Sequence, residues 1–171
     1  SPAMIARKVM LLGEIGVGKS SLARRLVFDK FEFDYKPTIG VDVYRFEVEA
    51  TAQRPAMSLI VWDTDGNFGD AIFKHIYMKE AAAALIIGDL SRAPTLDTMV
   101  RLGNGFAEAF PGRHIGYVIN KTDLAAEPDA VPLPTGLTLP GVSLMRTSAK
   151  TGWRVKEAFV HAADSIARRA L

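Results

Sequence analysis

The sequence predicts an α/β fold built on a mostly parallel sheet of about six strands, on three observations. Short apolar or β-branched runs recur at Lys8–Leu12, Val41–Val48, Met57–Trp62, Ala82–Ile87, Ile115–Ile119 and Val142–Met145. Helical patterns separate most of them, the alternation that lets crossovers join parallel strands. Only the short polar stretch 50–54 joins the second and third runs, which predicts an antiparallel hairpin at one edge.

Each element has its own signal. The first strand ends in Val9, Met10, Leu11 and Leu12 and runs into the glycine-rich loop Gly13–Ser20, after which an amphipathic stretch begins a helix. Beyond the fourth strand, Leu96, Met99, Val100, Gly103, Ala107 and Phe110 share one helical face. Near the end, Val155, Phe159, Ala162, Ile166 and Ala170 do the same, so both helices should pack on the sheet. Pro128, Pro132, Pro134 and Pro140, with Gly136 and Gly141, break any helix between Asp123 and Ser148 and predict a mostly irregular segment.

With 171 residues, 49% of them hydrophobic and 23% charged, the chain is expected to form one domain over 1–171. Twenty-one basic and nineteen acidic side chains leave a net charge of +2 without a long run of one sign, which argues against a nucleic-acid tail or polybasic anchor. The absence of cysteine excludes disulfides, thiolate metal sites and, in this sequence, prenylation or palmitoylation. Ala81–Gly88, the most apolar segment, is too short to span a bilayer, and no signal-peptide core follows the N-terminus. A soluble, cytoplasmic protein is expected, reaching a membrane only through a partner or a tail missing here. Ser1-Pro2-Ala3 before Met4 reads as an expression scar.

The loop G-E-I-G-V-G-K-S has the placement of a phosphate-binding loop, between a strand and a helix. Its glycines let backbone N–H groups from Ile15 to Ser20 converge on anionic oxygens at a helix N-terminus. Lys19 adds a mobile positive charge, and the Ser20 hydroxyl suits Mg²⁺, a hard cation that shares oxygen ligands with phosphates. ATPases and kinases carry the same pattern, so the loop alone does not choose a base. Asn120-Lys121-Thr122-Asp123 follows a strand, at the carboxyl edge where open α/β sheets bind ligands. The Asp123 carboxylate can accept two N–H bonds from the guanine N1 and exocyclic amine, whereas adenine presents an acceptor at N1. Standing alone, the same tetrapeptide would be a solvated polar turn.

Together, G-E-I-G-V-G-K-S, Y-K-P-T-I-G, W-D-T-D-G-N, N-K-T-D and T-S-A-K resemble the motifs of Ras-superfamily small GTPases, nearest the Rab branch, over Val9 to the C-terminus. The resemblance implies a P-loop G-domain with helices on both faces of the sheet, a proline-rich loop replacing the usual fourth helix, and GTP or GDP with Mg²⁺ as cofactors. It implies nucleotide contacts from Gly13, Ile15, Gly16, Val17, Gly18, Lys19, Ser20 and Ser21. Phe31 would lie against the guanine, and Tyr35 and Thr38 belong to the first switch. Asn120, Lys121 and Asp123 would hold the base, with Lys121 covering its plane, while Ser148, Ala149 and Lys150 would read its O6 through backbone N–H. Ser20, Thr38 and Asp63 would serve the metal, Asp63 through a bound water. Thr38 and the Gly66 N–H would both sense the γ-phosphate and release when it is lost; with Lys19 and Asn67 they form the expected catalytic set.

Three positions depart from the pattern. Asn67 stands where the family usually has glutamine to orient the attacking water, and its amide is one methylene shorter. Ile15 replaces a glycine or small polar residue and would crowd the γ-phosphate, obstructing an inserted arginine worth about 10³ to 10⁵ in rate. Asp65 puts a carboxylate where the family has alanine, where it would repel phosphate, assist Mg²⁺ or face water. The expectation is a switch with slow intrinsic hydrolysis and a long-lived GTP state.

Two other readings compete. A scaffold module that keeps nucleotide for structure without cycling accommodates Asn67, Ile15 and Asp65, but does not require Lys19, Ser20, Thr38, Asp63 and Gly66 together. A P-loop kinase or ATPase leaves Asn120–Asp123 and Ser148–Lys150 without a role. His75, His114 and His161 lack companion ligands and read as surface or packing residues. Expected partners are effectors docking on switch regions 31–42 and 63–79, an exchange factor and a GTPase-activating protein. Trp62 belongs either to that surface or to the core.

Overall fold

The computed structural model describes residues 4–29, 41–64 and 78–171. Six strands form one sheet: β1 (Ile5–Leu12), β2 (Val41–Val48), β3 (Met57–Thr64), β4 (Ala83–Asp89), β5 (His114–Asn120) and β6 (Ser143–Arg146). Their order is β2-β3-β1-β4-β5-β6, with β2 and β3 antiparallel and every other neighbouring pair parallel. The hairpin therefore sits at one edge, as its short connection requires. Among the described residues the α-helices, in chain order, are α1 (Lys19–Phe28), α2 (Ala93–Ala109), the single turn α3 (Thr135–Thr138) and α4 (Val155–Arg168).

Strand periodicity sorts the core into two layers. Val9 and Leu11 of β1, with Leu85, Ile87 and Val118, face Leu22 and Ala23 of α1 and Phe159, Ala162 and Ile166 of α4. Met10 and Leu12, with Ala84, Ile86 and Ile119, face Leu96, Met99 and Phe106 of α2. The central strands are covered on both sides, which explains why β4 is buried at every residue and reads as continuous apolar sequence. Trp62 is half-buried at the margin of the second layer, with the Lys8 ammonium 3.9 Å above its ring.

The proline-rich segment is more structured than its sequence predicts. It holds one-turn 3₁₀ helices at Thr122–Leu124 and Pro128–Ala130 as well as α3. Proline forbids a helix interior but suits its first position, where no intrahelical partner for the missing N–H is needed. Pro128 opens one of these turns and Pro134 caps another, so the prolines limit helices to single turns without abolishing them. Among the described residues no helix is long and apolar enough to cross a membrane.

Candidate functional site

The parallel register brings the carboxyl ends of β1, β3, β4 and β5 to one edge: Leu11 lies beside Asp63, Leu12 beside Ile86, and Asp89 beside Asn120. The loop 13–18 leaves β1 at that edge and turns into α1. Two of its glycines answer to space. A Cβ on Gly13 would stand 2.5 Å from the Ile87 carbonyl oxygen, and one on Gly18, whose φ is +98°, would overlap the Asn120 amide. Gly18 caps α1 with a left-handed backbone and no side-chain hydrogen bond, so the positive dipole end of α1 opens at the loop. Val17 is fully buried, Ser21 is half-buried on the first turn of α1, and Ile15 is 44% exposed.

Beneath the loop lies a buried polar set. The Ser20 hydroxyl donates to Asp63 Oδ2, and Lys19 Nζ lies 3.9 Å from Asp63 Oδ1; the carboxylate is fully buried and the two partners nearly so. Thr64, next along β3, donates its hydroxyl to the Leu11 carbonyl at 3.0 Å and ties β3 to the base of the loop. Hydroxyl, carboxylate and ammonium thus converge with oxygen ligands of the kind Mg²⁺ prefers.

The N-K-T-D and T-S-A-K segments meet the loop from the far side. Asn120, 2% exposed, donates Nδ2 to the Val17 carbonyl at 3.1 Å, and its Oδ1 accepts from the Ala149 N–H at 3.0 Å and the Thr147 hydroxyl at 3.2 Å. Lys121 takes a left-handed backbone, φ +65°, and carries its ammonium to the Gly16 carbonyl at 2.7 Å and to the buried Asp89 carboxylate at 3.0 Å. Asp123 is exposed, and its Oδ1 accepts the Ser148 hydroxyl at 2.7 Å. The Thr122 hydroxyl donates to the Thr147 carbonyl at 2.8 Å, which joins the two segments a second time. The Ala149 amide is engaged by Asn120 and the Ser148 amide by the Trp153 carbonyl at 3.0 Å, while Lys150 is exposed.

The structure thus brings together Gly13, Ile15, Gly16, Val17, Gly18, Lys19, Ser20, Asp63, Asn120, Lys121, Asp123, Ser148 and Ala149 at one edge of the sheet. Phe31, Tyr35, Thr38, Asp65, Gly66 and Asn67 lie outside the described residues, as does His75. Sequence reasoning missed three contributors. Arg25 of α1 donates Nε to the Ala149 carbonyl at 2.8 Å and Nη2 to the Lys150 carbonyl at 2.5 Å, holding the T-S-A-K loop from behind. Asp89 anchors Lys121, and Arg92 donates Nη1 to the Ile15 carbonyl at 3.1 Å. The signal for the latter two was the D-L-S-R string at a strand's carboxyl end, subject to the same edge logic as N-K-T-D.

A phosphate-type loop between a central parallel strand and its following helix, faced by the polar N-K-T-D and T-S-A-K segments, defines a P-loop α/β protein. The chain belongs to the Ras family, whose family model matches residues 8–168. Its similarity to the Arabidopsis thaliana Ras-related protein RABF2b is 31% identity over 167 residues, covering 96% of this chain and 82% of that protein. The Saccharomyces cerevisiae Ypt/Rab-type GTPase YPT7 is 31% identical over 175 residues, with 96% of this chain and 81% of the relative covered. The mouse Ras-related protein Rab-32 is 36% identical over 97 residues, a match that covers 57% of this chain and 43% of Rab-32. The match thus spans less than half the length of the Rab-32 relatives from mouse, human and pig.

Proposed function

We propose that this chain is a guanine-nucleotide-dependent switch that holds GTP or GDP with Mg²⁺ and hydrolyses GTP slowly. The observation that carries the reading is Asn120, whose one side chain ties the loop after β1 to the loop after β6, so that a phosphate site and a base site are held in fixed relation. A Cβ at Gly13 or Gly18 would collide with the Ile87 carbonyl oxygen or the Asn120 amide, so only glycine lets the loop lie this close to both; with the Lys19 ammonium beside it and the Ser20 and Asp63 oxygens suited to a hard cation, the residues present fit both groups.

In this reading, the amides of Ile15 to Ser20 and the Lys19 ammonium bind the phosphates. Asp123, oriented by Ser148, accepts the guanine N–H groups, and Lys121 lies along the base. Ser148, Ala149 and Lys150 line the O6 side, and Ser20, Thr38 and, through a water, Asp63 would hold the metal. Bound Mg²⁺ would draw negative charge from the phosphate oxygens. Thr38 and Gly66 sense the γ-phosphate, and Asn67 positions the water. Effectors engage segments 31–42 and 63–79, with an exchange factor and a GTPase-activating protein setting the cycle. The protein acts in the cytoplasm and meets membranes through a partner or tail.

Single-turnover hydrolysis tests the slow-switch reading. Asn67→Gln restores the longer amide and Ile15→Gly clears the phosphate face, so each should raise the hydrolysis rate without abolishing nucleotide binding. Fast hydrolysis by the wild type, or equal binding of adenine and guanine nucleotides, overturns the proposal.

A further inference from the structure

Three consecutive carbonyls of the loop after β1 receive a side-chain donor. Asn120 Nδ2 reaches Val17 at 3.1 Å, Lys121 Nζ reaches Gly16 at 2.7 Å, and Arg92 Nη1 reaches Ile15 at 3.1 Å. A trans peptide points its C=O and N–H in opposite directions. Holding the carbonyls of 15, 16 and 17 outward therefore turns the N–H groups of 16 and 18 toward the opposite side, where an oxyanion would lie, while the Val17 N–H closes a turn on the Glu14 carbonyl at 3.5 Å. The first two donors belong to N-K-T-D; the third comes from an unrelated segment at the start of α2.

Resting on the nucleotide reading above, we propose that Arg92 is a positioning residue of the phosphate cradle, fixing the Ile15–Gly16 peptide plane so that the Gly16 amide is aimed at the phosphate chain beyond the first phosphate. The backbone of Arg92 is well anchored for this. Its N–H donates to the Asp89 carbonyl at 3.0 Å, and its carbonyl accepts from the Thr95 N–H at 3.0 Å and the Thr95 hydroxyl at 2.7 Å. Its guanidinium lies close enough to the loop that a Cβ on Gly16 would come within 3.2 Å of Nη1. The alternative role, an ion pair with Asp89, is poorly made. Arg92 Nη1 is 4.0 Å from Asp89 Oδ2, while Lys121 holds the same oxygen at 3.0 Å. The guanidinium acts through the loop backbone and not on the nucleotide itself.

A purely structural Arg92 would affect all ligands alike, so the test compares guanosine mono- and diphosphate. Affinities of GMP and GDP for wild type, Arg92→Ala and Arg92→Lys would be measured by titration calorimetry with magnesium present. A half-exposed charged hydrogen bond sits at the low end of its range, so Arg92→Ala should weaken GDP about tenfold and GMP less than about twofold. Arg92→Lys, which keeps one charged donor, should recover most of the GDP affinity; if the alanine variant fails to fold, Arg92→Gln, which is shorter and uncharged, takes its place and should lose GDP affinity in preference to GMP. An unchanged GDP affinity, or equal losses for GMP and GDP, overturns the assignment of Arg92. Wild type that binds neither nucleotide overturns the underlying function instead, and the proposal with it.

Discussion

Removing the Asn120 side chain should uncouple the two halves of the site. Only one orientation of its amide satisfies all three neighbours, with Nδ2 toward the Val17 carbonyl and Oδ1 toward the Ala149 N–H and Thr147 hydroxyl. Val17 and Thr147 are fully buried and Ala149 is 2% exposed, so water does not readily replace the lost partner. Each bond contributes about 1 kcal/mol net, and three together give roughly 3 kcal/mol, a factor of about 150 in the folding constant. Urea unfolding of Asn120→Ala at constant magnesium and nucleotide should show that loss in the midpoint with an unchanged slope. Asn120→Asp keeps the two accepted bonds but sets an anionic oxygen against the Val17 carbonyl, so it should be at least as costly. A loss below about 1 kcal/mol for the alanine variant, or an aspartate variant milder than alanine, would refute the bridging argument.

Other consequences are as direct. Burial holds the His114 imidazole down from 6.5 to about 4, with His161, Arg169 and Arg168 adding repulsion. The unfolded chain takes that proton near pH 6.5 and the folded one does not until about 4, so about 3 kcal/mol of stability should be lost as pH falls through that window. In His114→Phe the difference between urea midpoints at pH 7.5 and 4.5 should shrink accordingly. Gly103 lies inside α2, where alanine normally stabilises, but its Cβ would overlap the Tyr117 hydroxyl and lie 2.6 Å from the ring carbon bearing it. Gly103→Ala should therefore destabilise by about 1–3 kcal/mol, and Tyr117→Phe in the same chain should recover part of that in a thermal melt.

How much of this was legible in sequence depended on how local the cause was. The strands were found within a few residues because β-branched and apolar runs are decided by neighbours: Val41–Val48 matches its prediction at both ends, and β1 begins three residues before the Lys8 of its prediction. The helix on α2 was visible from its apolar face alone. The single turns at Pro128 and Pro134 were not, because a proline read as a helix breaker is equally a helix starter. At the site, the glycines and N-K-T-D were legible from motif order. Arg25 and Arg92 were not: they bond carbonyls 124 and 77 residues away, through long side chains on surfaces with no periodic signal. Asn67 and Thr38 lie outside the described residues, so their expected roles rest on the resemblance.

The place of β1 in the sheet has a consequence for synthesis. β1 is hydrogen-bonded on both flanks by strands made after it, so its β3 flank is not filled until Thr64 has emerged, nor its β4 flank until Asp89 has. The loop beyond β1 waits longer, since Asn120, Lys121 and Ala149 complete its far wall. A nascent chain halted between Ser20 and Asn120 carries the loop without the side chain that holds its Val17 carbonyl, so the loop's native shape depends on a residue made 103 positions later.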